Sequence, residues 1–176
     1  MKTKQVLQIV LNCLVISIFI GAGITVLVLR QLHPNYDAVI LGSILLVAGG
    51  SRGVIYYINR GYKYTRDITI ISALVMVAMG LIFLLSGRDL EMLCFGWGIM
   101  EIILGSIEVY IDFLEIKETK IAWLELIVNA STIIFGVLLC IKLYEGLTIH
   151  IIFLSISLFL LAIIALIKFI KIMRTK

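Results

Sequence analysis

The sequence predicts an all-α polytopic membrane protein, six transmembrane helices arranged as three repeated helical hairpins, and three observations carry that expectation. Hydrophobic residues make up 62% of the 176 and charged residues only 15%, with a mean hydropathy of +1.16. Six apolar stretches follow one another with short polar links between them. The small residues inside those stretches recur with a period of 56 to 57 residues. A water-soluble chain runs near ~45–50% apolar and ~25% charged, because a globule needs a polar skin. This chain has too little polar material to make one.

A membrane-spanning helix takes roughly 20 apolar residues at about 1.5 Å rise each. The stretches 6–29, 38–58, 68–85, 91–112, 121–141 and 147–169 meet that requirement. The first begins after Lys2 and Lys4 and could be confused with a secretory signal, but its apolar run continues through Val26, Leu27, Val28 and Leu29. A signal core is about 7–15 residues, so the first stretch is expected to be a retained helix. The links carry the helix breakers: Pro34, the only proline, then Gly61, then Gly87. Links this short force each helix to run antiparallel to the next, which predicts one six-helix membrane domain over 1–176.

Orientation follows from the basic residues. With the N-terminus inside, the inner side holds Lys2, Lys4, Arg60, Lys63, Arg66, Lys117, Lys120, Lys168, Lys171, Arg174 and Lys176, and the outer side only Arg30, Arg88 and Lys142. The asymmetry places both termini in the cytoplasm. Tyr56, Tyr57, Tyr62 and Tyr64 fit an interfacial aromatic belt at the inner end of the second span.

The repeats cover about 6–58, 68–112 and 121–169. In the first helix of each, Gly23, Gly80 and Gly136 align; in the second, Gly42, Gly98 and Ser155 align, then Gly49, Gly105 and Ala162. Helices in lipid associate by close backbone approach at small residues, so the faces bearing Gly42 and Gly49, and Gly98 and Gly105, are expected to be packed. A two-span repeat keeps its orientation from copy to copy. That predicts a pseudo-threefold axis along the membrane normal and argues against an inverted-repeat transporter.

Ionisable groups inside a span are costly and mark candidate sites. Glu101 stands about ten residues into the fourth span, on the face of Gly98, Gly105 and Glu108. Burial favours the neutral carboxyl, and Asn129 in the fifth span is the expected amide partner. Its role is a hydrogen bond between helices or the binding of a proton or solute. Arg52, Glu108 and Glu125 form a second set, within ~3 Å in height by counting rise from the span ends. Arg52 and Glu108 are equivalent repeat positions, as are Asn12 and Glu125. They are expected to form an inner-leaflet network or to snorkel to the head groups.

Cys13, Cys94 and Cys140 are too scattered for a metal site. Cys94 and Cys140 fall near the outer face, as a disulfide or as two thiols. His150 is expected at the outer interface, and the basic tail from Lys168 to Lys176 suits anionic lipid head groups. No HExxH, GxSxG, P-loop or GxGxxG pattern occurs. The expectation is a non-enzymatic protein without cofactor or metal, with no nucleic-acid partner.

Six short spans, a glycine in the first helix of each hairpin and a second helix of the form Leu41-Gly42-x-x-Leu45-Leu46-x-x-Gly49-Gly50 resemble the HdeD-like family of bacterial acid-resistance membrane proteins. The resemblance covers nearly the whole chain and rests on glycine and hydropathy patterning. The third repeat departs from it, with serine and alanine in place of both glycines. It implies a bacterial inner-membrane protein contributing to acid or envelope stress resistance, and brings no catalytic or substrate-binding residue with it. The alternative is a small-solute transporter, or the membrane substrate-binding subunit of a transporter complex, with Ser17 and Gly21 offered to a partner helix. A closed bundle favours the first. An outward-opening polar cavity reaching Glu101 favours the second. An unsealed small-residue face would favour homo-oligomerisation.

Overall fold

The structure is a computed structural model that describes residues 3–29, 37–58, 65–86, 90–116, 120–141 and 147–174. These residues form six helices: α1 (Thr3–Leu29), α2 (Asp37–Ile58), α3 (Thr65–Ser86), α4 (Leu90–Glu115), α5 (Lys120–Cys140) and α6 (Leu147–Arg174). Many are rich in isoleucine and valine, which in water favour strands. In lipid the backbone must satisfy its own hydrogen bonds, and the helix does so within one segment.

Five of the six, α1, α2, α4, α5 and α6, are long and apolar enough to cross a membrane. In α3 the described apolar run is Ile70–Leu85, shorter than that. The outward faces carry exposed apolar side chains throughout, such as Leu74, Leu85, Ile127 and Ile134. Polar side chains on or near those faces turn back onto their own helix: Thr25 Oγ1 donates to the Gly21 carbonyl at 2.7 Å, Ser106 Oγ to that of Ile102 at 2.6 Å and Ser131 Oγ to that of Ile127 at 2.8 Å. A multi-pass membrane protein follows from these features.

The helices close into a ring, each packing on its chain neighbours and α1 on α6, with α4 also reaching α2 and α6 across the middle. The most extensive interfaces are α4 with α5, α2 with α3, and α1 with α6. These are the interfaces between the expected hairpins, where the glycines lie. A Cβ on Gly42 would stand 2.8 Å from Leu84 and 2.9 Å from the Gly80 carbonyl. One on Gly98 would stand 2.5 Å from the Gly136 carbonyl and 2.7 Å from Cys140. Gly49 meets Ala73, Met76 and Val77, while Gly105 meets Asn129, Thr132 and Ile133. Every partner in the second interface lies 56 residues beyond its counterpart in the first. At the third interface Gly23 meets Phe159, as Gly80 meets Leu46 and Gly136 meets Ile102. Gly21, by contrast, has open space around it.

The core is apolar and centred on α2, α4 and α6, with Leu41, Leu45, Trp97, Leu154 and Leu158 fully enclosed. Trp97 stacks on Phe83 with ring centroids 6.3 Å apart. Its Nε1–H donates to Ser157 Oγ at 2.8 Å, tying α4 to α6.

Candidate functional site

α4 carries three buried acids, Glu101, Glu108 and Asp112, at spacings of seven and four residues. Those spacings keep all three on one helical face, with Gly105 between the first two. The α4 face they occupy is turned toward α2, α5 and α6.

Glu108 is the most heavily bonded. Its Oε1 lies 3.4 Å from Arg52 Nη1 on α2, and its Oε2 lies 2.6 Å from Lys168 Nζ on α6. The Arg52 and Glu108 side chains are only 15% and 11% exposed, so this triad sits largely out of solvent, where charge pairs are screened little. One turn further along α4, Asp112 Oδ2 accepts from Asn129 Nδ2 at 2.6 Å. Glu125 on α5 is also buried and is close enough to Asp112 for the two carboxylates to act on one another. Together these groups supply two cations and three acids to one end of the bundle.

Glu101 is different. It is 2% exposed, and neither carboxyl oxygen has a hydrogen-bond partner among the described residues. Trp97 and Ser157 stand beside it, yet they bond to each other and complete no bond to the acid. A cavity of about 10 Å³ opens below it, lined by Glu101, Gly105, Glu108, Arg52, Asn129, Thr132 and apolar side chains from α3, α4 and α6. That is room for one water molecule.

The structure thus brings Arg52 onto Glu108 and gathers Glu101, Arg52, Glu108 and Asn129 around one cavity, with Glu125 deeper toward Asp112. It corrects the expected Glu101–Asn129 pair. The glycine contacts set the register of α4 against α5: Gly136 lies level with Glu101 and Asn129 with the turns beyond Gly105. Seven residues, about 10 Å of helix, separate Asn129 from the height of Glu101. Counting from span ends had put them at one depth.

Asp112 and Lys168 were not anticipated. Asp112 ends its apolar stretch and Lys168 begins the basic tail, so both read as interfacial charges. The signal for Asp112 was its place on the Glu101 and Glu108 face. Lys168 spends its ammonium on Glu108; Lys176 lies outside the described residues, as do most of the loop charges that set the expected orientation. Tyr57 is exposed, and Tyr110, Phe113 and Trp123 are exposed near the same end of the bundle. Tyr62 and Tyr64 lie outside the described residues. No disulfide joins Cys94 and Cys140; the Cys140 thiol points at the Phe95 carbonyl, 3.7 Å away. Among the described residues no group of three or more metal-ligating side chains is gathered.

No family model, curated protein or solved structure matches this chain.

Proposed function

We propose that this is a non-enzymatic, six-span protein of the bacterial inner membrane, of the HdeD-like kind that its glycine pattern resembles, and that its intramembrane carboxyl groups bind protons as part of acid tolerance. One observation carries the reading: the space reaching Glu101 holds about one water. A solute carrier needs a cavity of solute size, whereas a proton needs none. The buried and unpartnered carboxyl of Glu101 is a group whose charge is set by whether a proton reaches it.

The repeat supports the architecture. The glycine contacts recur at 56 residues between two interfaces, and Arg52 meets Glu108 at the same offset. Equivalent residues touch each other only close to a symmetry axis, and that contact supports a pseudo-threefold axis past the pair. On this reading α3 crosses with its neighbours, both termini face the cytoplasm by the distribution of Lys and Arg, and the tail beyond Lys168 meets anionic lipid. The open face at Gly21 is where a second copy or a partner subunit would sit.

The test is survival of cells at low pH with Glu101→Gln at normal protein level. Reduced survival is expected. Unchanged survival overturns the acid-tolerance role. Thermal stabilisation by a member of a small-solute panel would instead favour transport.

A further inference from the structure

We propose that the cavity between α2, α4, α5 and α6 binds one water molecule, and that this water connects the Glu101 carboxyl to the Arg52–Glu108 pair, so that the Glu101 proton exchanges with the Lys168 end of the bundle and not with the Trp97 end. The inference rests on the reading of Glu101 as a proton-binding group, and specifies its ligand and its route.

The first support is an orphan. Buried polar atoms almost always have a hydrogen-bond partner in protein or ordered water, and the two oxygens of Glu101 have none from the described residues. The second is the space. A bound water needs a site of about 10–15 Å³ with two to four polar partners, and the cavity beneath Glu101 measures about 10 Å³. Its partners are complementary. Thr132 Oγ1 donates to the Asn129 carbonyl at 2.7 Å, which leaves its lone pairs to accept. The Arg52 guanidinium has five N–H donors, of which one is directed at Glu108. A water at this place accepts from Arg52 and from the protonated Glu101 carboxyl and donates to Glu108 and Thr132.

The third support is spacing. Seven residues separate Glu101 from Glu108 along α4, about 10 Å, too far for direct contact and within reach of two extended side chains with one water between. Gly105 lines the cavity between them, and a Cβ there would press on Ile133 and on Thr132 Oγ1, 3.0 Å away. In the other direction the path is closed. Trp97 is wholly buried, stacked on Phe83 and bonded to Ser157, among the enclosed Leu41, Leu45, Leu154 and Leu158.

The transfer balances. Glu101 gives its proton to the water as the water gives one of its own to the Glu108 carboxylate; the water is regenerated, Glu101 becomes anionic and Glu108 neutral. Among the described residues the charged and titratable groups around the route are Arg52 from α2, Glu108 and Asp112 from α4, Glu125 and Cys140 from α5, and Lys168 from α6; α3 contributes Met76 to the cavity.

The experiment uses the full chain in membrane vesicles of both orientations. The infrared absorption of protonated carboxyl groups is followed after a pH jump in the outer medium, and Glu101→Gln identifies the band. In vesicles exposing the Lys168 end the Glu101 band should respond promptly, and in the opposite orientation at least about tenfold more slowly. Thr132→Val, which removes one water partner at nearly constant volume, should slow the prompt response, and so should Gly105→Ala where it folds. Equal rates in both orientations overturn the one-sided route, and a wild-type rate in Thr132→Val overturns the water link. One-sided exchange with normal acid survival of Glu101→Gln would keep the route and remove the physiological role. A spectrum unaffected by Glu101→Gln removes Glu101 as the proton site itself.

Discussion

Asn129 on α5 gives its side-chain N–H to the Asp112 carboxylate on α4 across 2.6 Å, with both residues buried. Replacing Asn129 with leucine leaves Asp112 enclosed without that donor, a change expected to cost about 1–3 kcal/mol. The thermal midpoint in detergent should fall, and Asp112→Leu added to Asn129→Leu should restore most of it, because both polar groups are then gone. A double variant no more stable than the single one would show that Asp112 serves another partner.

Substitution at the close helix contacts separates packing from composition. A Cβ at Gly98 would come within 2.5 Å of the Gly136 carbonyl, whereas one at Gly53 meets nothing within 4 Å. Gly98→Ala should therefore destabilise by about 1–3 kcal/mol through overpacking. Gly53→Ala should stabilise by about 0.5–1 kcal/mol, since alanine loses less backbone entropy in a helix. Equal midpoints for the two would place α4 and α5 further apart.

Glu108 is shared by two cations, which makes a graded prediction. Arg52→Leu removes the longer contact and should cost about 1.5–3 kcal/mol, the range for hydrogen bonds to charged groups. Lys168→Met should cost at least as much, because its contact is the shorter one. The double variant should lose more than the two together, since Glu108 then lacks both cations. Strict additivity in thermal unfolding would mean that the cations act independently.

At Glu101 stability and activity should part. The positions 56 residues before and 57 after it are Leu45 and Leu158, both enclosed, so the bundle accommodates leucine at this level. Glu101→Leu removes an unpartnered buried acid and should raise stability by about 1–3 kcal/mol while abolishing the proposed acid phenotype. A destabilised variant would show that the carboxyl is structural.

Much of the fold was legible because lipid simplifies the code. Length and hydropathy specify helices when no other backbone arrangement is satisfied, and six described helices fall where the apolar stretches do. Gly42, Gly49, Gly98 and Gly105 could be recognised as packing positions from their spacing. Which helix each would meet could not, because a small-residue stripe is equally usable by the hairpin partner and by the next hairpin; the packing of side chains such as Leu84 and Cys140 decides it. The Arg52–Glu108 pair was visible as a repeat equivalence. Asn129 was misplaced because depth counted from span ends ignores register, and Lys168 because a lysine four carbons long can turn inward from a position that reads as interface.

α4 carries Trp97, Glu101, Glu108 and Asp112; Arg52, which meets Glu108, comes earlier in the chain, whereas Asn129, Ser157 and Lys168 come later. During synthesis the ribosome therefore delivers the acidic helix when Arg52 is already made, but before Lys168 and before the Asn129 amide that meets Asp112. Until α5 and α6 emerge, free release into lipid would leave Glu101 and Asp112 without the helices that enclose them, and retention at the insertion machinery is the expected outcome. The order of the genes' codons thus makes α6 the closing step of assembly, and a nascent chain truncated before Ser157 should stay bound to the insertase and be open to membrane proteases.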